Sequence, residues 1–220
     1  MNATWRFLVA FVYKKSSTLE IDMRRTATLA LLVLAAACGK KETASPSGDA
    51  AAPASALAPA TWNGLASRFT NSAGAPAGEA VIVDAKDGVL LRLRVEGLAP
   101  GWHGTHIHMV GTCEDAGAGF KASGAHFDPE NHEHGLENAA GSERGDLPNI
   151  HAGADGTATA EFFRANLHLK PSEAAASENG PYPLLDDDGF AIIIHANPDD
   201  HVTQPIGGAG DRVACAAFKG

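Results

Sequence analysis

From Thr61 onward the chain alternates short apolar runs with clusters of Gly, Pro, Asn and Asp. Val89 to Val95 shows the pattern most clearly. Leu91, Leu93 and Val95 fall on one face and Arg92 and Arg94 on the other, the period of a half-buried antiparallel strand. Ala80 to Ala85 predicts the strand before it. Asp84-Ala85-Lys86-Asp87-Gly88 between them reads as a hairpin turn with Asp-Gly at its tip. Gly97 to Gly101 turns the chain into a strand carrying His106 and His108. Further strands are predicted at Ala158 to Phe163, after an Asp155-Gly156 turn, at Phe190 to Ala196 and at Val213 to Phe218. No long amphipathic helix is visible, Ser172 to Ser177 forming a turn or two at most, and there is no internal repeat. Many short strands with turn signals at regular spacing predict an all-β sandwich or barrel.

Upstream the pattern is different. Met23-Arg24-Arg25 followed by Ala27 to Ala37 reads as an export signal, with a charged start and an apolar run too short to span a bilayer. The run ends Leu34-Ala35-Ala36-Ala37-Cys38-Gly39. Small residues before a cysteine resemble a bacterial lipoprotein box, which implies cleavage before Cys38 and a lipid on its sulfur. Residues 1–22 look unlike the rest and are read as an upstream extension, with translation starting at Met23. Residues 39–60 are Ala, Pro, Ser, Lys and Gly with almost no bulky apolar side chain. Such a stretch cannot bury enough surface to offset its ordering entropy, and reads as a tether. The folded domain is expected over residues 61–220.

A chain of 220 residues has room for one ordinary domain and a tail. Its formal charge of -9 argues against nucleic acid and against a polybasic membrane patch. Membrane contact is expected only through a lipid on Cys38, and monomer and homodimer are both open. Of three cysteines, Cys113 and Cys215 remain as an even pair. In an exported protein they form a disulfide, the alternative being two buried thiols.

The candidate chemistry lies between residues 103 and 134, where six of the ten histidines fall. Neutral imidazole is the commonest protein metal ligand. His106 and His108 are two apart, so a strand points both to one face. His126 and His134 sit in a loop rich in Gly, Asp, Asn and Pro. A strand pair with loop-borne ligands can build one or two adjacent metal sites. The alternative is a histidine-rich surface loop.

Several stretches together resemble the copper–zinc superoxide dismutase family. They are His103-Gly104-Thr105-His106-Ile107-His108, Gly124-Ala125-His126-Phe127-Asp128-Pro129 and His134-Gly135. Downstream follow Gly145-Asp146-Leu147-Pro148-Asn149, Ile194-His195, Asp199-Asp200 and Gly210-Asp211-Arg212-Val213-Ala214-Cys215. The resemblance implies a Greek-key barrel or sandwich of about eight antiparallel strands with long metal-binding loops. It implies superoxide as substrate, with copper and zinc as cofactors, and the export signal with its lipoprotein box adds an expected location in the bacterial envelope on the periplasmic side. By position, His106, His108, His126 and His195 match copper ligands, and His126 also bridges to zinc. His134 and Asp146 match zinc ligands, Asp199 the carboxylate that orients one ligand from each site, and Cys113 with Cys215 the family disulfide. Arg212 and His126 match the residues that draw in the anion and handle its proton.

One position departs from that pattern. The family interval places a third zinc histidine where this chain has Glu143. Glutamate binds zinc, while His132 and His151 are nearby in sequence and offer other ways to complete the site. The sequence therefore also allows a copper-only dismutase, or a copper-binding domain on the same fold with little turnover. His103 is out of register with His106 and His108 and reads as structural, and His168 and His201 read as surface residues.

Overall fold

Short strands separated by glycine-rich turns assemble in chain order as β1 (Leu65–Asn71), β2 (Pro76–Ala85), β3 (Gly88–Val95), β4 (Gly101–His108), β5 (Asp146–Ala152), β6 (Ala158–Ala165), β7 (Leu167–His168), β8 (Tyr182–Pro183), β9 (Phe190–His195) and β10 (Arg212–Phe218). The computed structural model describes residues 64–170 and 181–220. The export signal, Cys38, the linker and the 172–177 segment lie outside the described residues. Among the described residues helix is confined to two single 3-10 turns, Ala116–Ala118 and Lys121–Ser123.

Eight strands form one sheet in the order β5-β4-β9-β10-β1-β2-β3-β6. Every neighbouring pair in it is antiparallel. β5 and β6, at its two ends, lie against each other, so the sheet is nearly closed into a barrel. β3 and β4 follow each other in sequence but are far apart in the sheet, the crossing connection of a Greek key. β7 and β8 form a separate short parallel pair.

The alternation read from the sequence is the alternation observed. Leu91, Leu93 and Val95 are buried while Arg92 and Arg94 are partly exposed. They meet Phe69, Ile82, Ile192 and Phe218 in one continuous core. Phe190 and Phe218 stack within it at 4.7 Å between ring centres. Filling a barrel with such side chains removes apolar area from water, the main favourable contribution to folding.

Three local readings need correction. β2 starts at Pro76, four residues before Ala80. The tip of the first hairpin is Lys86-Asp87, since Gly88 already pairs with Ala85. Asp87 itself adopts the left-handed conformation, with φ of 64°, which aspartate tolerates. β1 and β5 are strands that the hydrophobic pattern does not announce. β5 contains Pro148, which an end strand of the sheet tolerates because no further neighbour needs its N–H.

The site is carried on two long connections, residues 109–145 between β4 and β5, and residues 196–211 between β9 and β10. The first is laid back along β4 by backbone bonds: Met109 N–H to Ala125 O at 3.0 Å and Phe127 N–H to Ile107 O at 2.8 Å. It is also anchored by a satellite core in which Phe120, fully buried, meets Ala191 and Ile193. Cys113 and Cys215 are disulfide-bonded with Cα atoms 5.7 Å apart, tying this connection to β10. The alternative of two free thiols is thereby excluded.

The bond spans 102 residues of sequence and constrains the unfolded chain accordingly. Its reduction should lower stability by about 2–4 kcal/mol. Denaturant titrations of the metal-free protein with and without reductant check this, and identical midpoints would contradict it.

Candidate metal centre

β4 is built so that three of its histidines are buried beside its neighbours in the sheet. His106 pairs with Asp146 of β5 and Ile193 of β9, and His108 pairs with Ala191. His108 also forms a bridge to His126 in the 109–145 connection. His195 ends β9, paired with Arg212 at the start of β10. These contacts bring His106, His108, His126 and His195 together, all buried, with ligand atoms within 4.8 Å of one another.

The orientation of each ring is set by what its other nitrogen holds. His106 Nε2 donates to Asp199 Oδ2 at 2.8 Å. His108 Nδ1 donates to Gly124 O at 2.9 Å and His195 Nδ1 to Gly210 O at 3.0 Å. Carbonyl and carboxylate oxygens only accept, so each bond fixes a tautomer and leaves the opposite nitrogen with a lone pair. Those opposite atoms, His106 Nδ1, His108 Nε2 and His195 Nε2, are buried with no hydrogen-bond partner, as is His126 Nε2. Buried polar atoms are rarely left unpaired. Four of them converging is the arrangement that a nitrogen-bound copper ion completes.

On the far side of His126 a second group gathers. His106, His126, His134 and Asp146 converge, again within 4.8 Å. His106 has no donor to spare there, since its Nε2 is committed to Asp199. Glu143 is in reach instead. Its Oε2 lies 2.5 Å from His126 Nδ1 and 3.1 Å from His134 Nδ1. Asp146 Oδ1 lies 2.7 Å from His134 Nδ1 and 3.5 Å from His126 Nδ1. Asp146 Oδ2 is held by the N–H groups of Gly135 at 2.8 Å and Glu143 at 3.0 Å. Gly135 is required where it stands: its φ is +118° and a Cβ there would lie 2.2 Å from His201 O. Two imidazoles and two carboxylates are a donor set that suits zinc.

Asp199 links the two groups. Besides His106, it accepts from His134 Nε2 on Oδ1 at 3.1 Å. Its own backbone is clamped by Asn149 of β5, which accepts from Asp199 N at 2.9 Å and donates to Asp199 O at 2.8 Å.

Charge separates the two sides. Burial pushes His106 down to about 4, with Asp199 offsetting part of the effect. Burial, reinforced by nearby His106, pushes His195 down to about 3, and His108 is lowered for the same main reason. His106, His108 and His195 are therefore neutral imidazoles at neutral pH, the form that binds metal. His134 behaves oppositely. Burial opposes its protonation, but Asp146, Asp199 and Glu143 outweigh burial and raise it to about 11. The carboxyls of Asp146, Asp199 and Glu143 are all held below the usual carboxylate range: burial raises each, and the facing histidines outweigh it. The second group thus offers anionic oxygens to whatever cation sits among them, a proton or a metal.

The sequence-derived candidates are largely brought together. His132 and His151 are not: both are exposed, His132 donating to Ser142 O at 3.1 Å and His151 packing edge-on against Trp102. His103 is structural, with its ring nitrogens 2.7 Å from His195 O and 2.7 Å from Ala99 O. His201 is half-buried rather than a free surface residue, with Nε2 3.3 Å from Asn149 Nδ2. Arg212 is half-buried, donating to Phe120 O at 2.7 Å, Ser123 Oγ at 3.0 Å and Gly124 O at 2.8 Å. Gly124 O thereby joins Arg212 to His108. An open cavity of about 550 Å³ runs past Arg212, lined also by Lys121 and Gly210.

Three supporting residues carry no role in the sequence reading. Asn149 clamps Asp199. Gln204 clamps the backbone of His134 from both sides, at 3.0 Å and 2.7 Å. Arg164 of β6 holds the turn bearing Glu143. Asn149 stands inside a quoted motif and was within reach. Nothing in the local sequence of Gln204 or Arg164 points to the site, because both act across the fold.

Residues 76–218 match the family model described as Copper/zinc superoxide dismutase (SODC). Superoxide dismutase (Cu-Zn) of Caulobacter vibrioides is 48% identical over 147 residues, covering 66% of this chain and 80% of that protein. The superoxide dismutase-like protein YojM of Bacillus subtilis is 31% identical over 187 residues, covering 84% of this chain and 90% of that one. A crystal structure of a double mutant of a SOD-like protein from Bacillus subtilis superposes with a TM-score of 0.65 at 36% identity, covering 71% of this chain and 98% of that one. With relatives this similar over most of their length, on a fold that converges its histidines in this way, the chain belongs to the copper/zinc superoxide dismutase family.

Proposed function

We propose that this protein dismutes superoxide at a copper ion held by His106 Nδ1, His108 Nε2, His126 Nε2 and His195 Nε2, beside a zinc ion on the Nδ1 side of His126. The observation that carries this reading is the set of four buried nitrogens without partners, next to a half-buried arginine. Copper there supplies the one-electron exchange by which two superoxide anions and two protons become dioxygen and hydrogen peroxide. The chain supplies the rest. Arg212 lines the open cavity with a cation, its guanidinium held by three acceptors, and would draw an anion toward the neighbouring histidines. Asp199 and the carbonyls of Gly124 and Gly210 keep three rings from rotating. His126 handles a proton: burial disfavours its charged form, but Asp146 and Glu143 facing Nδ1 outweigh burial and raise its pKa. Its Nε2, buried without a protein partner, would hold one proton beside the substrate whenever it does not hold copper. Arg212 argues for turnover over passive copper storage, which has no use for an anion-attracting group.

The location belongs to the same proposal. The run ending at Cys38 supports export and lipid attachment, and the Cys113–Cys215 bond suits an oxidising compartment such as the periplasm. Cys38→Ser should move the protein from the membrane fraction to the soluble fraction, and unchanged partition would refute the anchor.

His195→Ala should abolish dismutation in a superoxide assay while leaving thermal unfolding of the metal-free protein nearly unchanged, because the core is built elsewhere. Activity within twofold of the parent would refute the copper assignment. Arg212→Glu should slow superoxide capture by about tenfold or more and flatten its dependence on ionic strength. An unchanged salt profile would remove the steering role.

A further inference from the structure

We propose that Glu143 is the fourth zinc ligand, so that zinc is closed in by His126, His134, Asp146 and Glu143 rather than by three histidines and one aspartate. The proposal rests on the reading of the second group as the zinc site. Zinc bonds to nitrogen and oxygen of about 2.0–2.2 Å set the edges of a tetrahedral donor cage at about 3.3–3.5 Å. The four edges that join each imidazole to each carboxylate here are 2.5 Å, 3.1 Å, 2.7 Å and 3.5 Å. The cage is therefore already assembled and slightly contracted. It needs to open by about 1 Å along its shortest edge.

The position of Glu143 is determined rather than incidental. Its N–H donates to Asp146 Oδ2 at 3.0 Å and its carbonyl accepts from Asp146 N at 3.1 Å. Arg164 then grips the same turn with one guanidinium. It reaches Arg144 O at 3.0 Å, Ser142 Oγ at 3.0 Å and Glu143 O at 2.7 Å. With the backbone fixed at both ends, the side chain of Glu143 is aimed inward and is 16% exposed. The other residues that could close the site point elsewhere: His132 and His151 are exposed and engaged with Ser142 and Trp102.

The consequence is a change in charge. Two carboxylates neutralise a zinc dication, whereas a single one leaves a net positive charge facing His126. Zinc here withdraws less electron density from the shared imidazole, and the site is richer in hard oxygen donors.

The test is zinc binding by the full metal-free chain, measured by competition with a chromophoric chelator, with cobalt(II) as a spectroscopic probe of the same site. Loss of hydrogen-bond partners outside the ligand shell costs 10–100-fold in metal affinity, so loss of a ligand should cost at least about tenfold. Glu143→Gln, which keeps shape but removes the charge, should weaken zinc by that factor. Glu143→His should keep zinc bound. Cobalt(II) in the unmodified protein should give the intense visible bands of a four-coordinate ion. Zinc retention in Glu143→Gln within threefold of the parent overturns the proposal. Should Glu143→Gln fail to fold, the cobalt spectrum decides: weak six-coordinate bands in the parent overturn it. Neither readout depends on superoxide turnover. Loss of dismutation with zinc binding as described would therefore implicate the copper reading, leaving this one standing.

Discussion

Both metal-binding groups hang on one buried carboxylate, that of Asp199. It is 3% exposed, and a buried carboxylate is costly unless it is paired and hydrogen-bonded. Here each oxygen is occupied. Oδ2 receives His106, and Oδ1 receives His134 together with the backbone N–H of His201 at 2.6 Å. Turning this carboxylate would release one ring from each group at once. Asn149 prevents that by closing two hydrogen bonds on the Asp199 backbone from a strand of the barrel. The geometry of the connection at 196–211 is thereby referred to the sheet, which is the rigid part of the molecule.

The sheet does the same for the other ligands. β4 and β9 are neighbours, second and third in the order, and β10 follows β9. His106, His108, His195 and Arg212 therefore stand on three consecutive strands. Only His126, His134 and Glu143 come from a connection, and that connection is laid against β4, anchored by Phe120 and fastened by a disulfide. Rings on strands hold neutral nitrogens with bare lone pairs. His134 and the carboxylates of Glu143, Asp146 and Asp199 hold charge. His126 faces both ways, with Nε2 bare and Nδ1 against carboxylate. A single imidazole separates a nitrogen-rich site from an oxygen-rich one.

Much of this was legible in the sequence, for reasons that differ by residue. Period-two alternation announced β3, and His-x-His on a strand announced a shared face. β1 was hidden because only Phe69 along it is fully buried, so its alternation is faint. β5 was hidden by Pro148 and by its polar residues, which read as loop although two of them, Asp146 and Asn149, engage the site. The candidate metal ligands stood out because histidine clusters are rare without cause. Their supports did not: carbonyls of Gly124 and Gly210 have no side-chain signature, and Gln204 and Arg164 reach the site only after the barrel closes. Glu143 shows the limit most clearly. Its interval marked a vacancy in a pattern, while the fold supplies what spacing cannot, a carboxylate already against both imidazoles.

The whole arrangement turns on one imidazole, His126, set between a nitrogen-rich group and an oxygen-rich one. Anomalous diffraction at the copper and zinc absorption edges, from crystals of the metal-loaded protein, tests it most directly. The expected result is a copper peak bonded to Nε2 of His126 together with His106, His108 and His195, and a zinc peak bonded to Nδ1 of the same ring. A single metal peak, or a second peak bonded away from His126, would contradict it.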